Sequence, residues 1–196
     1  PLSAARNKRP MPNTISETNA VNTARRVVKK DFMYTGVLLL GTNLGDKTLN
    51  IEQAIASIKG FSTVLARSSA YESEAWGYDS TESYLNVALK IQFSLDPHTA
   101  MQTCLDIESS LGRTRSAAGY SDRTIDIDFL CIDNFSSNTE HLHVPHPRLH
   151  QRLFALLPLQ EVHPYYIDTA TGASIAELIS TCPDTSRPTL KARPSA

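Results

Sequence analysis

One stretch limits the chain more than any other: Arg113-Thr114-Arg115-Ser116-Ala117-Ala118-Gly119-Tyr120-Ser121-Asp122-Arg123-Thr124-Ile125-Asp126-Ile127-Asp128-Phe129-Leu130. From Thr124 to Phe129 polar and apolar residues alternate, the period of a β-strand predicted over Thr124–Ile132, so Asp126 and Asp128 project from one face. A strand inside a sheet normally fills such a face with apolar groups. Two carboxylates there repel each other unless a cation lies between them. Hard oxygen donors on a rigid strand, with Arg113, Arg115 and Arg123 close in sequence, suit Mg2+ carrying a polyphosphate. The bland alternative is an edge strand with both aspartates in water and the arginines in a solvated turn.

The rest of the chain sets bounds on this reading. At 196 residues, one domain of ordinary size with flanking segments is expected. Residues 1–30 hold seven basic side chains against Glu17 alone, whereas the remainder carries 12 basic and 19 acidic residues. An acidic body argues against a general nucleic-acid surface. Cys104, Cys131 and Cys182 are odd in number and widely spaced, so they form neither a disulfide framework nor a zinc site. No apolar run reaches membrane-spanning length, and the N-terminal segment lacks a signal-peptide core. A cytoplasmic protein, either a monomer or a weak homodimer, is expected.

Periodicity predicts the order of elements. Residues 1–34 read as a flexible basic extension, residues 35–182 as the folded domain, and residues 183–196 as a frayed tail. Val37–Leu40 opens the domain as a buried strand. A turn through Gly41–Asp46 leads to a helix with Ile51, Ala54, Ile55 and Ile58 on one face. Strands follow at Thr63–Tyr71 and Tyr84–Phe93. Asp96-Pro97 then starts a second helix, with a capping side chain before a proline at the first helical position. The Asp-x-Asp strand completes β-α-β-β-α-β. This is an α+β, ferredoxin-like arrangement: one antiparallel sheet, both helices on one face, the other face open for a site. Beyond it a C-terminal helix from Leu149 to Glu161 is predicted, then a small hairpin around Tyr165–Gly172 and a short helix from Ser174 to Thr181.

Several separate motifs, taken in order, resemble the 6-hydroxymethyl-7,8-dihydropterin pyrophosphokinases of folate biosynthesis. They are Leu40-Gly41-Thr42-Asn43-Leu44-Gly45, Tyr84-Leu85-Asn86, Ile107-Glu108 before Gly112-Arg113-x-Arg115, Arg123-Thr124-Ile125-Asp126-Ile127-Asp128, Val144-Pro145-His146-Pro147-Arg148, and Arg152-x-Phe154. The resemblance implies transfer of pyrophosphate from ATP to the hydroxymethyl group of the pterin, with release of AMP. It implies two Mg2+ ions on Asp126 and Asp128, and catalytic roles for Arg113, Arg115 and Arg123. ATP contacts are implied for Glu108, Arg115, Tyr120, Arg123, His146 and Arg152. Pterin contacts are implied for Ser73, Ala75, Trp76, Tyr84, Asn86, Tyr120, Asp126 and Phe154.

The chain also departs from the family. Tyr120 stands where many relatives have tryptophan, Gly119 where a basic residue is common, Asp122 where proline is common, and Leu105 where glutamine often occurs. Asp122 is expected to point outward, away from phosphate. Two other classes compete with the enzyme. One is a ferredoxin-like nucleotide- or metal-binding module without catalysis. The other is an RNA-binding sheet, which would expose aromatic residues where this strand carries aspartates.

Overall fold

The computed structural model describes residues 32–113 and 121–191. These form a mixed α+β fold with an antiparallel sheet and four helices. The order is β1 (Tyr34–Thr42), α1 (Lys47–Ile58), β2 (Ser62–Arg67), β3 (Tyr71–Ser73), β4 (Tyr84–Phe93), α2 (Pro97–Ser110) and β5 (Asp126–Ile132). Then come β6 (Ser137–Asn138), β7 (His143–Val144), α3 (Leu153–Val162), α4 (Ile175–Thr181) and β8 (Thr189–Leu190). The main sheet runs β5-β1-β4-β3-β8, with β2 also paired to β4. Among the described residues no helix is long and apolar enough to cross a membrane.

Alternation along the strands divides the apolar residues between two layers. Leu38, Leu40, Val87, Leu89, Ile91, Ile127 and Phe129 face α1 and α2, meeting Ile51, Ile55, Ile58, Ala100 and Cys104. Val37, Leu39, Ala88 and Leu130 point the opposite way, against Leu156 and Leu159 of α3 and Ile175 and Leu178 of α4. So α1 and α2 share a face, as expected, but α3 and α4 cover part of the other. The uncovered remainder of that second face is where Asp126 and Asp128 emerge.

Helix starts follow the sequence signals. The Asp46 carboxylate accepts from the Leu49 amide, and Asp96 from the His98 amide beside Pro97. Ser174 and Glu177 close a reciprocal capping box on α4.

Elsewhere the structure corrects the prediction. The single strand expected from Thr63 to Tyr71 is two. Between them Ser68 Oγ accepts from the Ala88 amide at 2.9 Å, and the Ser69 amide donates to Glu161 Oε2 at 2.6 Å. Side chains thus take over backbone partners and the regular ladder breaks. The C-terminal helix begins at Leu153, after a separate 3-10 turn at Leu149–Gln151. The polar connection after Asp133 contains the β6–β7 hairpin, and of the hairpin expected at residues 165–172 there is a single bridge, Ile167 to Ser174. Where a frayed tail was expected, Thr189–Leu190 pairs with β3, and Lys191 Nζ lies 2.6 Å from Glu72 Oε2.

Candidate active site

Register builds the floor of the site. Gly41 of β1 is paired with Asn86 of β4 on one side and Asp126 of β5 on the other. Asn86, Gly41 and Asp126 therefore form a row across three strands, and Leu39 with Asp128 lies in a parallel row two residues along. Two strand spacings put Asn86 and Asp126 roughly 10 Å apart. Gly41 keeps the ground between them low: a Cβ there would stand 3.3 Å from Asn86 Oδ1 and 4.0 Å from the Asp126 Cβ. The result is a flat strip with an amide at one end and a carboxylate at the other.

Loops and α3 supply the walls. Ser73, Glu74, Trp76, Tyr78, Tyr84, Arg123, Arg152 and Phe154 line the same cavity as Leu39, Gly41, Asn86, Asp126 and Asp128. Ser73 is buried and its Oγ accepts from Asn86 Nδ2 at 3.0 Å. That bond fixes the amide orientation. The Arg152 guanidinium lies 4.7 Å from the Trp76 ring centroid and 5.7 Å from that of Phe154, and Arg148 lies 6.0 Å from Trp76. Trp76 thus sits as a cover over a cationic wall.

A carboxylate–guanidinium network occupies the β5 end. Arg123 Nη1 donates to Asp126 Oδ2 at 2.5 Å, and Arg113 Nη1 donates to Asp126 Oδ1. Arg113 also meets Glu108 Oε1 at 2.5 Å. Glu108 is 1% exposed, and its Oε1 accepts the Ile127 amide at 2.8 Å. Hence α2 grips both β5 and the arginine beside it.

Asp128 is held differently. Its pKa rises from 3.8 to about 7, chiefly through burial and then through repulsion from Asp126, with Arg152 opposing the shift. Burial, then Arg152 and Arg148, pushes His146 down to about 4, so its imidazole is neutral at pH 7. Its Nδ1 accepts the Arg148 amide at 3.1 Å, and Nε2 lies 3.3 Å from Arg152 Nη1.

This donor set fits a hard divalent cation. Two carboxylates share one face of a strand, and one of them resists ionising without a positive partner. Among the described residues no group of three or more His, Cys, Asp or Glu side chains converges as a metal cage. Two protein oxygens, with water and ligand oxygens completing the shell, is the usual provision for Mg2+ beside phosphates.

The sequence-predicted residues are thus largely brought together. Arg115 and Tyr120 lie outside the described residues. Ala75 does not line the cavity; it borders a neighbouring groove with residues 78–83. β5 proves to be an edge strand, yet its aspartates face the cavity rather than open water. Asp122 is exposed, as expected, but its Oδ1 is engaged by Asn43, Tyr78 and Ser80. Leu39, Glu74 and Tyr78 went unpredicted as lining groups. The alternation in β1 identifies Leu39 with Gly41 once Asp126 is known to be opposite. Asn43 was also missed as a support: it is buried, accepts the Arg123 amide through Oδ1 at 2.8 Å, and donates its own amide to the Arg123 carbonyl at 3.1 Å.

Known proteins resemble this chain in sequence and in fold. Residues 37–164 match the family model of 7,8-dihydro-6-hydroxymethylpterin-pyrophosphokinase (HPPK). A Bacillus subtilis relative, 2-amino-4-hydroxy-6-hydroxymethyldihydropteridine pyrophosphokinase, is 38% identical over 138 residues, covering 69% of this chain and 82% of its own. The Aquifex aeolicus protein of the same name is 36% identical, covering 69% and 84%. Among solved structures, an HPPK-DHPS in complex with substrates aligns with a TM-score of 0.61 at 13% identity, covering 76% of this chain and 43% of that one. Wild-type Plasmodium falciparum HPPK-DHPS with pteroate gives 0.61 at 14% identity, covering 76% and 44%. This chain therefore spans less than half of either solved chain, and at such identity that likeness speaks for the fold. The family match and the close relatives decide the matter: the chain belongs to the 7,8-dihydro-6-hydroxymethylpterin-pyrophosphokinase family.

Proposed function

We propose that this chain transfers the terminal pyrophosphoryl group of ATP to the hydroxymethyl oxygen of 6-hydroxymethyl-7,8-dihydropterin, releasing AMP, with Asp126 and Asp128 as ligands of two Mg2+ ions. The observation that carries this is the row Asn86–Gly41–Asp126. It matches a flat bicyclic ligand whose edge is read by an amide at one end and whose reacting substituent reaches carboxylates at the other. Ser73 orients that amide, Tyr84 and Phe154 offer ring faces, and Trp76 covers the slot. Bound Mg2+ would neutralise triphosphate charge and steady the attacking hydroxyl.

The arginines have work on both sides of this encounter. Without nucleotide, Arg113 and Arg123 neutralise Asp126. With it, we assign them to the triphosphate, where the charge that moves to the leaving AMP needs stabilising. Arg152 and neutral His146 flank the phosphates opposite. Glu108 acts by holding Arg113 in reach rather than by touching nucleotide. Arg115 keeps its phosphate role, and Tyr120 its role as ring cover, as parts of the same proposal. The strand order reads as ferredoxin-like, enlarged by β8 at the edge and by α3 and α4 on the second face. Cytoplasmic action by a monomer or weak homodimer completes the reading, with the basic extension ending before Tyr34, the first residue of β1.

The test is incubation with Mg-ATP and 6-hydroxymethyl-7,8-dihydropterin. Pterin-dependent formation of AMP and the pterin diphosphate is expected. ADP in place of AMP, or nucleotide breakdown that ignores the pterin, contradicts it.

A further inference from the structure

Side chains of the connection between β3 and β4 reach the entry to β5 at a carboxylate oxygen of Asp122. Asp122 Oδ1 accepts Asn43 Nδ2 at 2.6 Å, Ser80 Oγ at 2.7 Å and Tyr78 Oη at 2.9 Å. Three donors from two separate segments converge there, and the acceptor's charge strengthens each bond. The same bonds, Ser80's first, then Asn43's and Tyr78's, hold this carboxyl below its usual range.

Proton counting extends the network inward. The Tyr78 hydroxyl has one proton, and it goes to Asp122. The Tyr84 hydroxyl lies 2.6 Å from Tyr78 Oη and 3.4 Å from the Ser121 carbonyl, and its single proton serves the shorter contact with Tyr78. Both rings line the substrate cavity. On the other side, Asn43 gives its NH2 to Asp122 and its oxygen to the Arg123 amide, so its orientation is set. At its far end the loop is tied separately, by Lys47 Nζ donating to the Ser83 carbonyl at 2.6 Å. Removing Asp122 therefore takes the bonds from Tyr78 and Ser80 away from the tip, loosening it, and leaves the Arg152–Trp76 stack and the base attached.

We propose that Asp122 is a positioning residue: a clasp that closes the loop carrying Trp76 and Tyr78 over the slot and sets how firmly the flat heteroaromatic substrate is retained. The role rests on the reaction proposed above and adds to it a residue outside the cavity lining. Asp122 is solvent-exposed. Water competes for its bonds, so the clasp opens readily enough to admit a ligand.

Trp76 is the only tryptophan in the chain and reports on the loop directly. Acrylamide quenching of its fluorescence is measured in wild type, Asp122→Ala and Asp122→Asn, alongside steady-state kinetics. Asp122→Ala is expected to raise the quenching constant about twofold and the pterin KM about five- to tenfold, with kcat within about threefold. Asp122→Asn, which keeps an acceptor but loses the charge, falls between. Wild-type quenching in Asp122→Ala, or a loss confined to kcat with pterin KM unchanged, overturns the proposal. If Asp122→Ala does not fold, judged by circular dichroism, Ser80→Ala, which removes a donor outside the cavity lining, replaces it with changes in the same direction expected and the same overturning results. A wild-type protein that produced no pterin-dependent AMP would count against the reaction, while quenching would still decide the clasp.

Discussion

Replacing Asp128 by asparagine should stabilise the metal-free protein, an unusual outcome for a substitution in an active site. Burial and the neighbouring Asp126 raise the Asp128 pKa from 3.8 to about 7. A raised carboxyl pKa means that the folded state binds the proton more tightly than the unfolded chain does. Its stabilising contribution is complete below pH 4 and is lost as pH rises through 7. Roughly three pKa units correspond to a ceiling of about 4 kcal/mol. Partial exposure and local relaxation reduce the realisable gain to about 1–3 kcal/mol. Asparagine has nearly the same shape and never ionises. In EDTA, urea unfolding of Asp128→Asn should therefore match wild type at about pH 4, exceed it by a growing margin as pH rises, and show the full gap at pH 8. Excess Mg2+ should narrow the gap at pH 8 by stabilising wild type selectively. A variant less stable than wild type at pH 8 in EDTA would refute the argument that burial, reinforced by repulsion from Asp126, penalises the ionised Asp128 carboxylate.

Other substitutions probe separate parts of the account. Glu108→Gln keeps an acceptor for the Ile127 amide but removes the charge facing Arg113, and should cost about 2 kcal/mol, seen as a lower urea midpoint with an unchanged slope; no change would place the grip of α2 on β5 elsewhere. Gly41→Ala puts a methyl 3.3 Å from Asn86 Oδ1 and should raise the pterin KM about tenfold while leaving that for ATP nearly unaltered. Equal effects on both substrates would argue against the row as the pterin floor. Arg123→Ala should lower kcat by about 100-fold or more with less than about threefold change in ATP affinity, and the reverse pattern in binding and single-turnover measurements would count against a role in the transition state.

What could be read from the sequence was whatever local pattern controls. Alternation from Thr124 to Phe129 placed Asp126 and Asp128 on one face, and Asp96-Pro97 marked the start of α2. Those signals arise within a few residues and survive folding. The break at Ser68–Ala70 did not announce itself, because it depends on Glu161, some ninety positions away, supplying an acceptor. Pairing of Thr189–Leu190 with β3 likewise follows from an open sheet edge and the Lys191–Glu72 pair rather than from propensity. Glu108 has the spacing of an ordinary α2 residue; only β5 docking beside it turns that position into a buried anchor. Asp122 and Tyr78 illustrate the same limit, since each gains its partners from another loop.

The central claim is that two aspartates on one strand hold divalent ions against a nucleotide's phosphates. A crystal structure with magnesium and a non-hydrolysable ATP analogue tests it most directly. The account predicts Mg2+ within about 2.1 Å of carboxylate oxygens of both Asp126 and Asp128, with Arg113 and Arg123 turned from Asp126 to the phosphates. Nucleotide bound with both arginines still on Asp126, and no ion at either carboxylate, would contradict it.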